Sequence, residues 1–168
     1  MKNLFKTASL GSISHGTLRT QDLLESFANE LEWQIARNGD FFAMPENHEQ
    51  RNRLAKVLGE AQDAWNEDGE TLTNEDNARE LVDELQDALN EFCGSFVSFG
   101  THPGDGADFG YWVDVDEARE SVDFVSSKEQ GEPDADFEGE WLSVNERGNC
   151  TLYVRGEDGK DVEIWGVC

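Results

Sequence analysis

Residues 139–167, GEWLSVNERGNCTLYVRGEDGKDVEIWGV, alternate between apolar runs and turn-forming residues. Aromatic and β-branched side chains fill three short runs, and Gly, Asn and Asp separate each run from the next. Such runs joined by short turns are typical of consecutive antiparallel strands. The stretch therefore predicts a three-stranded meander, with strands at 141–144, 151–154 and 162–167.

Upstream of this stretch, the pattern of apolar residues changes from that of strands to that of helices. Thr20 and Thr73 are expected to be the N-caps of two helices, and residues 1–19 are expected to be irregular. Apolar residues recur at the three- and four-residue spacing of an amphipathic helix. This spacing predicts three helices, near 21–37, 46–66 and 73–93.

Helices followed by strands predict an α+β fold, with three N-terminal helices followed by an antiparallel β-sheet meander. Shorter strands are expected at 96–99 and 109–115, ahead of the meander. The length of 168 residues suits a single domain, 1–168. Its mainly helical part is expected to be 1–93, and its mainly β part 94–168.

Acidic residues dominate the composition. The chain has 37 Asp and Glu against 13 Lys and Arg, a formal net charge of −24. This charge disfavours direct binding to nucleic acid or to anionic lipid, and it makes basic protein surfaces the expected partners. The three cysteines show no pairing pattern, and the sequence has no signal-peptide or membrane-spanning pattern. We therefore expect a cytoplasmic protein that does not bind membranes.

The surplus charge is concentrated in two windows of the sequence. Residues 59–92 hold twelve acids and one base, and residues 101–143 hold thirteen acids and two bases. Residues 1–58 hold seven of each kind. Adaptation to high salt would spread the charge over the whole chain, so the clustering favours a functional acidic surface. The alternative is that both windows form an ordinary solvated face.

The third predicted helix carries the densest array of carboxylates. A helix rises about 1.5 Å per residue, so these acids place roughly one charge every 4 Å, close to the spacing of about 3.4 Å between phosphates of one DNA strand. Like charges four residues apart destabilise a helix, which a purely structural helix would avoid. With the acids just before the helix, the first candidate partner-binding set is Glu67, Asp68, Glu75, Asp76, Glu80, Asp83, Glu84, Asp87 and Glu91.

A second candidate set of acids lies in the second window. Two rows of carboxylates on one protein could imitate the two phosphate strands of DNA, and could then fill a cleft lined with Lys and Arg. The residues of this second set are Asp114, Asp116, Glu117, Glu120, Asp134, Asp136 and Glu138.

Three segments resemble those of known proteins. They are GDGADFGYW at 104–112, GEWLSVNERGNCTLYV at 139–154 and SHGTLRTQDL at 14–23. All three resemble segments of a family of acidic phage and bacterial proteins. This resemblance brings no activity to carry over, but an origin in phages implies a role against host defences. In size, acidity and mixed fold, the chain also resembles the anti-restriction and anti-CRISPR DNA mimics as a class.

The sequence therefore predicts a DNA mimic, not an enzyme, that occupies the nucleic-acid-binding site of a host defence complex, either a CRISPR effector or a restriction enzyme. No spacing of residues predicts a metal or cofactor site or a catalytic nucleophile, and a homodimer stays open. The first alternative is a non-catalytic regulatory protein of a mobile element, whose acidity serves solubility. Its site would be the Gly104–Trp112 loop, with Asp105 and Asp108 as candidate residues. The second alternative is a hydrolase that uses a pair of carboxylates.

Overall fold

The computed structural model describes residues 5–64, 74–128 and 130–168. These residues form two compact units. The first unit combines the residues up to Cys93 with Ser98–Trp112, and the second combines Gly94–Val97 with Val113–Cys168. The elements in chain order are β1 (Gly11–His15), α1 (Thr20–Arg37), α2 (Gly39–Phe42), a short 3-10 helix (Pro45–Asn47), α3 (His48–Asp63), α4 (Glu75–Asn90), β2 (Val97–His102), β3 (Asp105–Val113), α5 (Val115–Ser121), β4 (Phe124–Ser126), β5 (Gly139–Val144), β6 (Cys150–Arg155) and β7 (Asp161–Val167).

The first unit packs three long helices with a three-stranded sheet. Helix α1 packs against both α3 and α4, because each of these helices presents one apolar stripe. The strand order in the sheet is β1-β3-β2, and β1 runs antiparallel to β3. Phe27 of α1 meets Phe99 and Phe109 edge-on, with ring centroids 4.9 and 5.4 Å apart. Burying a large apolar side chain of this kind contributes roughly 1.5–3 kcal/mol, so this aromatic contact fixes α1 on the sheet.

Glycine at position 110 allows β1 to approach β3 closely. A Cβ atom at Gly110 would overlap the carbonyl of Gly11 on the neighbouring strand. The register places Ser12 opposite Gly110 and Gly11 opposite Tyr111, and a β-bulge follows between Ser12 and Ser14. Gly110 therefore has a structural explanation, close contact between two backbones.

The second unit is built on a four-stranded sheet in sequential order, β4-β5-β6-β7. Strands β5, β6 and β7 are antiparallel neighbours, whereas β4 runs parallel to β5. Trp141, Leu142, Leu152 and Trp165 are buried in this unit. The indole of Trp165 donates a hydrogen bond to the carbonyl of Ser95, at 2.8 Å. This bond ties the last strand to the segment that precedes β2.

The predicted order of elements was wrong. The chain begins with a strand, β1, before any helix, and the helices are followed by two sheets rather than by one meander. Strand β1 carries Gly, Ser and His and pairs with β3 almost a hundred residues away, so its neighbours in sequence give little signal. The parallel pairing of β4 with β5 was also missed, because β4 has only three residues.

Several local predictions agree with the structure. The predicted helix at 21–37 is α1, and the three predicted strands of the meander are β5, β6 and β7. Thr20 lies in the helix itself, and Arg19 occupies the N-cap position. Thr73 and the predicted end of the second helix at 66 lie outside the described residues. Within the described ranges, no helix is both long enough and apolar enough to cross a membrane.

Candidate functional site

The solvent-facing side of α4 carries a row of carboxylates. Helix α4 begins after Asn74, whose side chain accepts a hydrogen bond from the backbone N–H of Asn77, at 2.8 Å. Its opposite face is buried through Ala78, Val82, Leu85 and Leu89. At 100° per residue, five acids fall in a sector of about 100° centred opposite this buried face. These five, all exposed, are called the α4 acidic row: Asp76, Glu80, Asp83, Glu84 and Asp87.

The α4 acidic row is dense along the helix axis, with gaps of one to four residues between successive acids. The row extends from Asp76 to Asp87, which corresponds to about 16 Å at 1.5 Å per residue. Five carboxylates over that length give a mean separation of about 4 Å along the axis, close to the phosphate spacing in one DNA strand. Because the buried face fixes the rotation of the helix about its axis, all five carboxylates of the row face solvent on the same side of α4.

The α4 acidic row has no cationic partner among the residues that the structure describes. No ion pair involves any of its five carboxylates among the residues that the structure describes. The nearby acids differ, since Glu75 pairs with Arg79 and Glu60 lies 3.3 Å from Lys56. The charge of the row is therefore available to another molecule.

Glu91 was predicted as part of the same surface, but the fold uses its charge. Its two carboxylate oxygens accept hydrogen bonds from Arg53, the second at 2.8 Å, and Gln50 also donates to it at 2.8 Å. Burial alone would raise the pKa of Glu91, but the hydrogen bonds from Arg53 and Gln50 hold it below its usual value. Glu91 joins α4 to α3 and adds little to the accessible charge.

A shallow groove of about 390 Å³ lies beside the α4 acidic row. It runs between α3 and α4, and Glu80, Glu84 and Glu60 supply carboxylates to its lining. Leu81 gives it an apolar patch, and Lys56 lies at the α3 side. The groove offers a basic side chain a concave contact in addition to the flat row.

The second candidate set lies in the second unit. Asp114 is the N-cap of α5, and its side chain accepts a hydrogen bond from the backbone N–H of Glu117, at 2.8 Å. Asp116, Glu117 and Glu120 are exposed on α5, as are Asp134, Asp136 and Glu138 in the segment before β5. Glu67 and Asp68, which the sequence assigned to the first set, lie outside the described residues.

Arg155 holds the acidic segment before β5 in place. Its guanidinium donates to the carbonyl oxygens of Pro133 and Asp134, at 3.1 and 3.0 Å. It also donates two hydrogen bonds, both at 2.8 Å, to Asp161, whose carboxylate accepts a third from the indole of Trp141 at 2.9 Å. The hydrogen bonds from Arg155, and then that from Trp141, lower the pKa of Asp161. Arg155 was not predicted from the sequence as a functional residue, although it is the last residue of a strand otherwise free of charge.

The predicted Gly104–Trp112 loop is mostly strand in the structure. Gly104 belongs to the turn between β2 and β3, and the residues from Asp105 to Trp112 belong to β3. Asp105 accepts a hydrogen bond from the backbone N–H of Ala107, at 2.9 Å. Asp108 accepts a hydrogen bond from the hydroxyl of Ser12 and lies 3.5 Å from the imidazole of His15. Asp108 therefore joins β1 to β3, and both candidate acids have partners inside the fold.

Two observations concern clusters of metal ligands and the Cys93 thiol. They contain no group of three or more His, Cys, Asp or Glu side chains arranged to hold a metal ion. Burial raises the pKa of the Cys93 thiol to about 11. A thiol with that pKa is almost entirely protonated at neutral pH, so Cys93 is a poor nucleophile.

Comparison of the chain with protein-family models, curated protein sequences and solved structures found no match in any of the three. The function must therefore be inferred from the chain's own surface. The feature of this surface with the most regular support is the α4 acidic row, five carboxylates on one helix face without an ion pair among the described residues, on a chain with a net charge of −24.

Proposed function

We propose that this protein is a non-catalytic inhibitor that imitates the phosphate backbone of DNA. The α4 acidic row would occupy the nucleic-acid-binding site of a host defence complex, either a CRISPR effector or a restriction enzyme. One observation carries the proposal: five exposed carboxylates lie on one face of α4 and have no cationic partner among the described residues.

The arrangement has an energetic cost that a binding partner would relieve. Three pairs of like-charged neighbours lie four residues apart on α4: Asp76 with Glu80, Glu80 with Glu84, and Asp83 with Asp87. Each such pair destabilises a helix by roughly 0.2–0.5 kcal/mol. Lys and Arg side chains of a DNA-binding cleft would neutralise these pairs, so the repulsion in the free protein becomes attraction in the complex.

The proposed partner follows from charge complementarity. A net charge of −24 repels nucleic acid and steers the protein toward basic surfaces, and this steering weakens as salt screens it. The complex would therefore form quickly at low ionic strength and contain no nucleic acid. We place the protein in the cytoplasm, and in the host cytoplasm if it comes from a phage, because the proposed targets act there.

A displacement assay tests the proposed function. Purified restriction enzymes and CRISPR effectors would be loaded with fluorescent DNA, and release of the DNA would be followed by polarisation at about 50 mM and about 300 mM salt, on either side of physiological ionic strength. We expect the protein to displace DNA from at least one target, and its own direct affinity for that target to be higher at the lower salt. Displacement from none of them would contradict the proposal.

Charge reversal on α4 supplies the specific variant. Glu80→Lys with Asp87→Lys should abolish displacement, because it places two cations in the α4 acidic row. The matched control is Glu25→Lys with Glu32→Lys, two exposed residues of α1 with the same seven-residue separation. The control should displace DNA nearly as well as the original protein. Equal displacement by both variants would mean that net charge, and not the row, is responsible.

A further inference from the structure

A second groove lies between β1 and α1, and we call it the β1–α1 groove. It has a volume of about 410 Å³ and is lined by Ser9–Ile13, Glu30 and Trp33. Its lining is mainly apolar, and Trp33 keeps 51% of its surface exposed. Trp33 and Glu30 therefore place an aromatic ring and a carboxylate in the wall of one groove.

The wall of the groove carries one carboxylate, that of Glu30. Glu30 accepts a hydrogen bond from the amide nitrogen of Gln34, at 2.8 Å. The side chains of Gln34 and Tyr111 are themselves buried and are not part of the groove lining. A carboxylate accepts several hydrogen bonds, so a cation with several N–H donors suits Glu30 better than an anion does.

The aromatic wall of the groove also favours a cation. The guanidinium of Arg37 already lies 5.0 Å from the centroid of the Trp33 ring. Cation–π contacts of this kind are worth about 0.5–1 kcal/mol at exposed sites. Trp33 is still half exposed with Arg37 in place, so a second guanidinium could contact the ring while it pairs with Glu30.

Strand β1 provides a backbone edge along the same groove. It is the outermost strand of the β1-β3-β2 sheet, and in the part of the chain that the structure describes its other edge pairs with no strand. Such an edge can accept an extended peptide as a further strand. The β-bulge at Ile13 interrupts regular pairing, so the accessible edge is the part before it, through Ser12.

From these contacts we infer that the β1–α1 groove binds an arginine side chain carried by an extended segment of a partner protein. The segment adds to the edge of β1, its guanidinium pairs with Glu30, and the ring of Trp33 covers the side chain. The carboxylate of Glu30, the one charged residue in the lining, supplies the local negative charge that pairs with a basic side chain. This binding site is independent of the α4 acidic row and of the function proposed above.

Peptide titration followed by amide NMR tests the inference. The probe is a capped five-residue peptide of alternating valine and arginine, and the comparison peptide has glutamine in place of arginine. We expect the arginine peptide to shift the amides of Gly11–Ser12 and of α1 near Glu30 and Trp33, and the glutamine peptide to bind at least about fivefold more weakly. Shifts confined to α4, equal binding of both peptides, or no shifts at millimolar peptide would each overturn it. Shifts of β1 amides that grow with protein concentration in the absence of peptide would assign the groove to a second copy of the chain, and so would also overturn it.

Variants of the groove separate its charge from its shape. Glu30→Gln keeps an oxygen that can accept from Gln34 but removes the charge, and should weaken the arginine peptide about fivefold. Glu32→Gln, the matched control at an exposed position two residues away, should change binding less than about twofold. The α4 variant Glu80→Lys with Asp87→Lys should still bind the peptide in the groove. Loss of binding in that variant, or equal weakening by Glu30→Gln and Glu32→Gln, would show general electrostatic attraction instead of a site.

Discussion

The α4 acidic row of the first unit differs from three acids of the second unit in how the fold uses the charge. In the second unit, Asp114 caps α5, Asp161 binds Arg155, and the backbone N–H of Glu140 donates to Asp123 at 3.3 Å. In the first unit, the α4 acidic row projects from a regular helix and has no such role within the described residues. Net charge therefore reveals less about function than the number of carboxylates that the fold leaves unused.

Glu91 illustrates the same difference within one helix. It is the C-cap of α4, one turn beyond Asp87, yet it binds Arg53 and Gln50 of α3. A carboxylate with two donors stabilises the contact between helices, whereas one without donors only repels its neighbours. The boundary between structural and available acids on α4 thus lies between Asp87 and Glu91.

The largest expected effect concerns the buried face of α4, which gives the row its direction. Leu85 is fully buried, and Leu85→Ala should lower the free energy of unfolding by about 2–5 kcal/mol through the cavity it leaves. Chemical denaturation followed by circular dichroism measures the change. Glu84→Ala, one residue earlier on the exposed side, is the control and should change stability by less than about 0.5 kcal/mol. Similar losses from both variants would mean that the assigned faces of α4 are wrong.

A smaller effect is expected at Arg155, where the second unit uses an acid structurally. Arg155→Met removes the donors to Asp161 and to the carbonyl groups of Pro133 and Asp134, so it should lower the denaturation midpoint and increase proteolysis at 130–138. Arg147→Met, at an exposed turn position, is the control. Unchanged proteolysis in the Arg155 variant would contradict the anchoring role of Arg155.

The ion pair between Arg155 and Asp161 should make the free energy of unfolding depend on pH in one direction. The folded protein lowers the pKa of Asp161, so the folded state favours its ionised form. The stabilisation is fully present above the ordinary Asp pKa of about 3.9. It is lost as the pH falls further, through the lowered pKa of the folded state. The original protein should therefore lose more stability than Arg155→Met between pH 5 and the acid range, and parallel pH profiles would count against the ion pair.

The smallest effect concerns the repulsion within the α4 acidic row. Glu80 has like-charged neighbours at Asp76 and Glu84, so Glu80→Gln should raise the free energy of unfolding by about 0.4–1 kcal/mol. Added salt should reduce this gain, because it screens the same repulsion. Glu25→Gln on α1 is the matched control. A loss of stability in the Glu80 variant would reveal a structural role for this carboxylate.

Sequence periodicity predicted the elements whose signal is local. Helices α1 and α4 and strands β5, β6 and β7 have their apolar residues at regular spacing, so each could be recognised without its neighbours. Strand β1 could not be, because its pairing depends on β3 and on the missing side chain at Gly110. The single-domain prediction stays a prediction.

The candidate site was only partly predictable for a related reason. The sequence identified the acids of α4, since their density is visible along the chain. It could not separate Glu91 from the others, because Arg53 lies 38 residues away in sequence. Likewise Arg155 gains its role from carbonyl groups more than twenty residues earlier. Whether a carboxylate is free to bind another molecule depends on partners that folding brings close to it. The spacing of residues along the sequence does not reveal those partners.

The central claim is tested most directly by the salt dependence of binding to the target that the displacement assay identifies. The slope of log affinity against log salt concentration would be compared between the original protein and the variant with Glu80→Gln, Asp83→Asn and Asp87→Asn. If α4 replaces phosphates in a basic cleft, the variant should show weaker binding and a clearly shallower slope. An unchanged slope, with unchanged affinity, would show that the carboxylates of α4 do not contact the target.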